Sequence, residues 1–479
     1  MWTKRQLVII SLVCLTATIS LYTLSPRHLQ HYAERYNTQE HWHDAVLAAV
    51  QAPIYSEDAD LAPTTEITET TLPVGQDPPG FVIFDRLYTW NGTLYAVTSN
   101  PEAFPELPYI ISQGIPVGHG IDTTPTPFDM QIISPESAKQ FLGEHAVVIS
   151  GMSFVLWDPK QFMTHYYHWW GEIILGAMRS YSRLALLPGV KTPLPEPRRF
   201  ILANAVDNTW RDRAGVDGPL MRAAWPDAAI ERSDFWTDLI KLNQTFVFER
   251  AMVISRASAH RSPFGKVWSK MIGSTMNVTV PDDFWKPLQQ RVVENVVGYV
   301  PVMDQDGVIN SEPTSDAPVL TYISRQHGGR RLTNESHDGL MDSLLQLEAE
   351  GICEVVVVHM EDLTFSRQLE VASRTTIMLA VHGNGLTHQL WMPSGPRSTV
   401  IEIFYPKTYI HDYSMLARNM GHKHYGIWND TSLTFPRGQW FKGTEGGDIK
   451  NFNGNAILVH GPTVANIIRQ RLTARIRDL

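Results

Sequence analysis

Cysteine is almost missing from this chain. Its 479 residues contain two, Cys14 and Cys353. Counting alone excludes a disulfide-stapled scaffold and a four-cysteine zinc site. An excess of positive charge is missing too: the formal net charge is −9, so the basic footprint of a nucleic-acid binder is absent. Gly-x-Ser-x-Gly and His-Glu-x-x-His occur nowhere, which removes the serine-hydrolase elbow and the zinc-protease helix. What is present is ample apolar material. Hydrophobic residues make up 43% of the chain, enough for a large core and too many for a disordered or collagen-like protein. The 14 tryptophans are read mainly as core.

Long uncharged runs are also scarce, with one exception. Leu7–Leu24 carries no charge and approaches the roughly 20 residues that span a bilayer as a helix. It outlasts the apolar core of a cleaved signal peptide, and no small-x-small cleavage site follows it. Lys4 and Arg5 precede it and Arg27 follows. Residues 1–25 therefore read as a cytosolic tip and signal anchor, and the remainder as luminal. That predicts a single-pass type II protein of the Golgi or endoplasmic reticulum membrane. Asn91, Asn243, Asn277, Asn334 and Asn429 each begin an N-glycosylation tripeptide, which suits a luminal body. Cys14 falls in the anchor, so no luminal disulfide within the chain is expected.

Residues 26–78 are polar and rich in Thr, Pro and acid, and read as a stem. Residues 79–300 alternate short apolar runs with helical stretches, an α/β unit with a strand-rich start. Residues 301–317 are dense in turn residues and read as a linker. Residues 318–455 alternate more regularly. Strands are expected at Val319–Ser324, Cys353–Val358, Thr376–Val381, Thr399–Phe404 and Tyr425–Trp428. Helices are expected at Glu335–Glu350, Thr364–Arg374, Leu386–Trp391 and His411–Met420. This spacing predicts a doubly wound, Rossmann-like sheet, with Cys353–Val358 buried on both faces. Residues 456–479 form an amphipathic basic helix expected to pack back across the first domain. His41-Trp-His43, Asp58-Ala-Asp60 and Asp304-Gln-Asp306 lie in stem or linker and are read as polar connector residues, and no bound metal is predicted.

Three segments carry chemistry. In Val381-His-Gly-Asn-Gly-Leu-Thr-His388 a strand runs through a glycine turn into a helix N-terminus, a place suited to phosphate. Ile323-Ser-Arg325-Gln-His327-Gly-Gly-Arg330-Arg331 also leaves a strand end, with three planar, always charged guanidinium groups. In His165-Tyr-Tyr-His168-Trp169-Trp-Gly-Glu172, helical spacing puts His165, His168, Trp169 and Glu172 on one face. That set suits acid–base chemistry near neutral pH or, alternatively, a metal.

The order of these three blocks, followed by Leu390-Trp-Met-Pro-Ser-Gly and Val400-Ile-Glu402-Ile, resembles glycosyltransferase family 61 over about residues 150–430. The family includes plant β-1,2-xylosyltransferases and animal O-linked N-acetylglucosaminyltransferases. The resemblance implies a GT-B fold: two Rossmann-like domains across a cleft, with the nucleotide sugar held mainly by the C-terminal one. It implies inverting transfer of a sugar, xylose or N-acetylglucosamine, from a UDP-sugar to a glycan or glycoprotein hydroxyl. Carried over by residue, Arg325 and Arg330 or Arg331 contact the diphosphate. His382, Gly383, Gly385, Leu386 and Thr387 cradle it, and Glu402 accepts the ribose hydroxyls. His168 is the base, with Glu172 orienting or replacing it. Asn384 stands where a small residue is usual. The rival reading is a non-catalytic luminal sugar-binding protein that keeps the fold.

Overall fold

The computed structural model describes residues 64–118, 120–206, 210–442 and 453–478. The expected anchor, and the stem as far as residue 63, lie outside them. Among the described residues no helix is long and apolar enough to cross a membrane. The architecture is mixed α/β with two sheets.

The first sheet contains β1 (Thr64–Glu66), β2 (Phe81–Trp90), β3 (Thr93–Val97), β4 (Met130–Ile133), β5 (His145–Pro159), β6 (Pro197–Asn204), β7 (Ala229–Glu231) and β8 (Phe246–Ile254). Its order is β4-β3-β2-β8-β5-β6-β7, with β1 paired to β5. Side chains alternate across a strand, so one run feeds two cores. Phe81, Ile83, Phe154, Leu156, Phe200, Leu202, Met252 and Ile254 enter one cluster. Their neighbours Val82, Phe84, Val155, Ile201, Ala251 and Val253 enter the other. Both faces are covered, which is why the strands read as solid apolar runs. β2 and β3 meet at Asn91-Gly92, with φ of 48° and 82°. Two successive residues with positive φ suit the right-handed twist of a hairpin, and Asn and Gly tolerate them best.

Two sequence expectations change here. Residues 64–78 are not stem. Thr64–Glu66 pairs with His145–Val147, Thr70 N–H donates to Val97 O, and Asp77 accepts from Ile83 N–H and Arg183, each at 2.9 Å. Threonine is β-branched and suits an edge strand, and composition does not distinguish that from an extended linker. The expected linker is likewise pinned down. Asp304 accepts from the N–H groups of Asp306 (2.8 Å) and Val308 (3.0 Å), and Asp306 pairs with Arg397 at 2.9 Å.

The second sheet contains β9 (Val319–Ile323), β10 (Glu354–Val358), β11 (Ile377–Val381), β12 (Thr399–Ile403), β13 (Lys423–Trp428) and β14 (Thr431–Leu433). The order is β10-β9-β11-β12-β13-β14, parallel except for β14. The helices Asn334–Ala349, Phe365–Ser373 and Asp412–Met420 fall close to their predicted positions. Each of the first two starts on a threonine, Thr333 or Thr364, whose hydroxyl caps an N–H of the first turn. The apolar run before Val358 is not central: β10 is an edge strand and Val357 is 41% exposed.

The C-terminal helix, Gly461–Thr473, stays with this sheet instead of crossing to the first domain. Val464, Ile467, Ile468 and Leu472 recur at helical spacing and join Leu340, Leu344 and Leu347 in one core. Gly461 permits the approach, since a Cβ there would lie 2.3 Å from Gly339 O.

Thr64–Leu479 forms one compact unit. A single apolar cluster runs from Trp169, Trp170 and Trp225 of the N-terminal half to Leu386, Leu390, Trp391 and Met415 of the other. Trp391 Nε1–H donates to Tyr166 Oη at 2.7 Å, and Trp285 Nε1–H donates to Leu390 O at 2.9 Å.

Candidate active site between the two sheets

On the C-terminal side the site begins where β11 ends. His382 N–H donates to Ile403 O at 2.9 Å, and the chain turns at Gly383. The carbonyl of buried His382 draws two cations: Arg325 Nη1 donates to His382 O at 2.7 Å and Arg330 Nη1 at 3.0 Å. Gly383 must lack a side chain, because a Cβ would stand 1.4 Å from Arg325 Nη1. A Cβ at Gly385 would meet Ile323 Cγ2 at 3.1 Å. Burial lowers the pKa of both guanidinium groups, and for Arg325 the charge of Arg330 adds to it. Both stay protonated at neutral pH, being far above it to begin with. Two crowded cations at a strand end can hold an anion.

Other predicted members of this loop sit differently. Arg331 turns away, with Nη1 3.4 Å from Gly328 O and its backbone accepting from Ile457 N–H at 3.2 Å. The segment after the turn is a 3₁₀-helix, Asn384–Trp391, not an α-helix. Leu386 is buried in the core, and its N–H is already taken by Gly383 O at 2.9 Å. Thr387 is buried with its hydroxyl on Asn384 Oδ1 at 3.3 Å. Neither side chain cradles a ligand here.

Glu402 is fully buried and held by two imidazoles, His382 through Nδ1 and His424 through Nε2, the latter at 2.8 Å. A carboxylate so enclosed orients His382 and does not reach ribose hydroxyls. Burial raises the Glu402 pKa, with Asp412 adding, and burial lowers those of His382 and His424 to about 3. Charge separation is costly in such a place, so hydrogen bonding fixes the His382 ring.

On the N-terminal side Tyr167–Ile174 winds as a π-helix before continuing as the α-helix Leu175–Ser182. Single turns of this kind gather at functional sites. His168 Nδ1 lies 2.5 Å from Glu172 Oε2. Glu172 is fully buried and also accepts from Arg256 Nη1 at 2.7 Å and Met271 N–H at 2.9 Å. Burial pushes its carboxyl upward, but Arg256 and His168 outweigh that and hold it below the usual carboxylate range. Glu172 thus remains charged and orients His168, and it has no exposed oxygen with which to replace it. Nor can it serve a metal beside His165, since its oxygens are occupied. Trp169 leaves the predicted face too, packing against Trp210 with centroids 5.1 Å apart. The His168 side chain is 23% exposed. With Nδ1–H donated to the carboxylate, the Nε2 lone pair is available as a base.

The two sides meet. Tyr167 N–H donates to Asn384 Oδ1 at 3.2 Å, so the departure at Asn384 joins the turn after β11 to the start of the π-helix. The Tyr167 ring lies 5.2 Å from His168 and 5.4 Å from Tyr413, and Tyr413 lies 5.1 Å from His382. Lys270 Nζ pairs with Asp412 Oδ1 at 2.9 Å. Burial alone would raise the Asp412 pKa, but Lys270 and His382 lower it. Arg256, Lys270, Asp412 and Tyr413 were not foreseen. Asp412 and Tyr413 have one sequence signal, the polar start of the helix after β12, and Arg256 and Lys270 have none.

The predicted glycosylation residues Asn91, Asn243, Asn277 and Asn334 are exposed, whereas Asn429 is half-buried and accepts His460 N–H at 3.0 Å.

Residues 166–401 match the family model of glycosyltransferase 61. Among curated proteins, the EGF domain-specific O-linked N-acetylglucosamine transferase of Drosophila melanogaster is 32% identical over 118 residues, 25% of this chain and 21% of that protein. The protein of the same name from Gallus gallus is 29% identical over 132 residues, 27% of this chain and 23% of its own length. The chain thus spans under a quarter of either relative. Residues 166–401, which hold His168, Glu172, Arg325, Arg330 and His382, are thus similar to glycosyltransferase family 61.

Proposed function

We propose that the chain is an inverting glycosyltransferase that moves a sugar from a UDP-sugar to a hydroxyl of a glycan or glycoprotein. One observation carries this reading. Arg325 and Arg330 converge on the His382 carbonyl, and the Tyr413–Tyr167 pair links that point to the His168–Glu172 dyad. In the proposed step His168 Nε2 takes the acceptor hydroxyl proton. The acceptor oxygen bonds to the anomeric carbon from the face opposite UDP. The bond from that carbon to the diphosphate oxygen breaks with its electron pair, and Arg325 and Arg330 meet the charge that develops. The histidinium is held by Glu172, as in an imidazole–carboxylate dyad.

N-acetylglucosamine is favoured as the sugar by the names of the relatives, with xylose the other candidate. The two sheets are assigned to a GT-B arrangement. The charge on the diphosphate is assigned to arginine, so a magnesium or manganese ion is not part of the reading. The membrane anchor and the luminal, Golgi or endoplasmic reticulum setting belong to the same proposal. The test incubates the full-length chain with a panel of UDP-sugars and acceptor glycans and measures UDP release. Release with one donor supports the reading. Binding of no UDP-sugar overturns it.

A further inference from the structure

We propose a second site, for a zinc-type divalent cation, formed by His327, His359 and Glu361. Their ligand atoms lie within 4.8 Å of one another. His327 belongs to the loop leaving β9, and His359 and Glu361 follow β10 directly. Adjacent parallel strands therefore deliver all three to one sheet edge. Ser324 N–H, at the start of the β9 loop, already donates to Val358 O at 2.8 Å, and this fixes the two strand ends together.

The chemistry of the donors points to this class of ion. Two imidazoles and one carboxylate are borderline ligands that suit Zn²⁺ and its neighbours, whereas magnesium and calcium prefer oxygen. The rings of His327 and His359 stack at 4.0 Å with planes 8° apart. His359 Nδ1 is buried and has no hydrogen-bond partner, a state that normally costs free energy. Three atoms no more than 4.8 Å apart share a centre within about 2.8 Å of each, so contraction by about 0.7 Å, with a turn of the stacked rings that aims their in-plane lone pairs at that centre, reaches zinc–nitrogen bonding distance. Three protein ligands leave a fourth position open.

Glu361 is close enough to act on the charge of Arg325, two residues before His327. An ion here ties the Arg325–Arg331 loop to the end of β10 and so positions the arginines that face His382. That role rests on the proposed donor site, but the binding itself does not.

The test therefore reads binding. The full-length chain, stripped of metal, is titrated with Co²⁺ as a visible probe, and Zn²⁺ is added to displace it. The expected result is one equivalent of Co²⁺ with a d–d absorption band that Zn²⁺ abolishes. His359→Ala should weaken uptake by at least about tenfold, as even outer-shell changes commonly do. His145→Ala, at an exposed histidine elsewhere, should not. If His359→Ala fails to give the parent's circular dichroism spectrum, Glu361→Gln serves instead and should also lower affinity. No d–d band in the parent, or equal binding by a folded variant, overturns the site. UDP-sugar binding, measured separately, fails or succeeds independently of that outcome.

Discussion

His168 and Glu172 face each other across one turn of a π-helix at 2.5 Å, with Arg256 held on the same carboxylate oxygen at 2.7 Å. The carboxylate spends both oxygens on fixed partners, so its effect on a substrate passes through the imidazole. His168→Ala should lower turnover by about 10²–10⁴-fold, the usual worth of a positioned base. Donor affinity should stay close to that of the parent. Steady-state transfer and UDP-sugar titration separate the two, and unchanged turnover would exclude His168 as the base. Glu172→Gln leaves Arg256 as an uncompensated buried charge and should cost about 3–5 kcal/mol of stability, seen as a lower unfolding midpoint.

Arg325→Ala removes a charged donor beside the His382 carbonyl. A hydrogen bond to a charged group contributes about 1.5–3 kcal/mol, so UDP-sugar affinity should fall roughly 10- to 100-fold with the fold intact. Gly383→Ala should act in the same way, because its methyl group would displace the Arg325 guanidinium. Combining the two should cost less than the sum, since both remove one interaction. Additive losses by calorimetry would show that Gly383 serves some other purpose.

Acid should destabilise the fold. Burial lowers His382 and His424 to about 3, and His388 and His422 to about 4, from an ordinary value of 6.5. A group depressed on folding contributes stability above its unfolded pKa and loses it as pH falls towards the folded value. Buried Asp77 and Asp158, raised to about 6, work in the opposite sense between their ordinary 3.8 and that value. Glu402 and Asp217, raised further by burial, oppose the histidines above pH 6 as well, but His165 and His260, lowered to about 4, join the other four histidines and outnumber them. The melting temperature should drop between pH 8 and pH 6, and His422→Asn should make the drop shallower. A flat profile in that window would contradict the buried, neutral state of these rings.

If arginine carries the diphosphate charge as proposed, dialysis that removes Mg²⁺ and Mn²⁺ should leave sugar transfer at its original rate. Loss of transfer restored by Mn²⁺ would reassign that charge to a metal.

Much of the second sheet was legible in the sequence, because parallel strands and amphipathic helices alternate with sharp periods. Leu340, Leu344 and Leu347 recur at helical spacing and face the core, while Leu345 is 49% exposed. Edge position was not legible: the valines of β10 look the same whether a neighbouring strand covers them or not. Within the site, Arg325, Arg330, His168 and Glu172 announced themselves through local motifs. Arg256, Lys270 and Asp412 did not, because each acquires its meaning only from a partner distant in sequence. Residues 64–78 read as stem for a related reason, since threonine-rich chain is extended both in solution and at a sheet edge.

The tryptophan seam has a mechanical consequence. Trp170 and Trp285 both lie against Trp391, with centroids 5.2 and 6.0 Å away, and all three rings are nearly or wholly sealed from solvent. Swinging one sheet away from the other would expose this aromatic layer to water, at roughly 25 cal/mol for each Å² uncovered. A wide hinge motion is therefore expensive, and access to the site falls to the loops around it. Heat should likewise melt residues 64–479 in one cooperative step, not as two halves in succession.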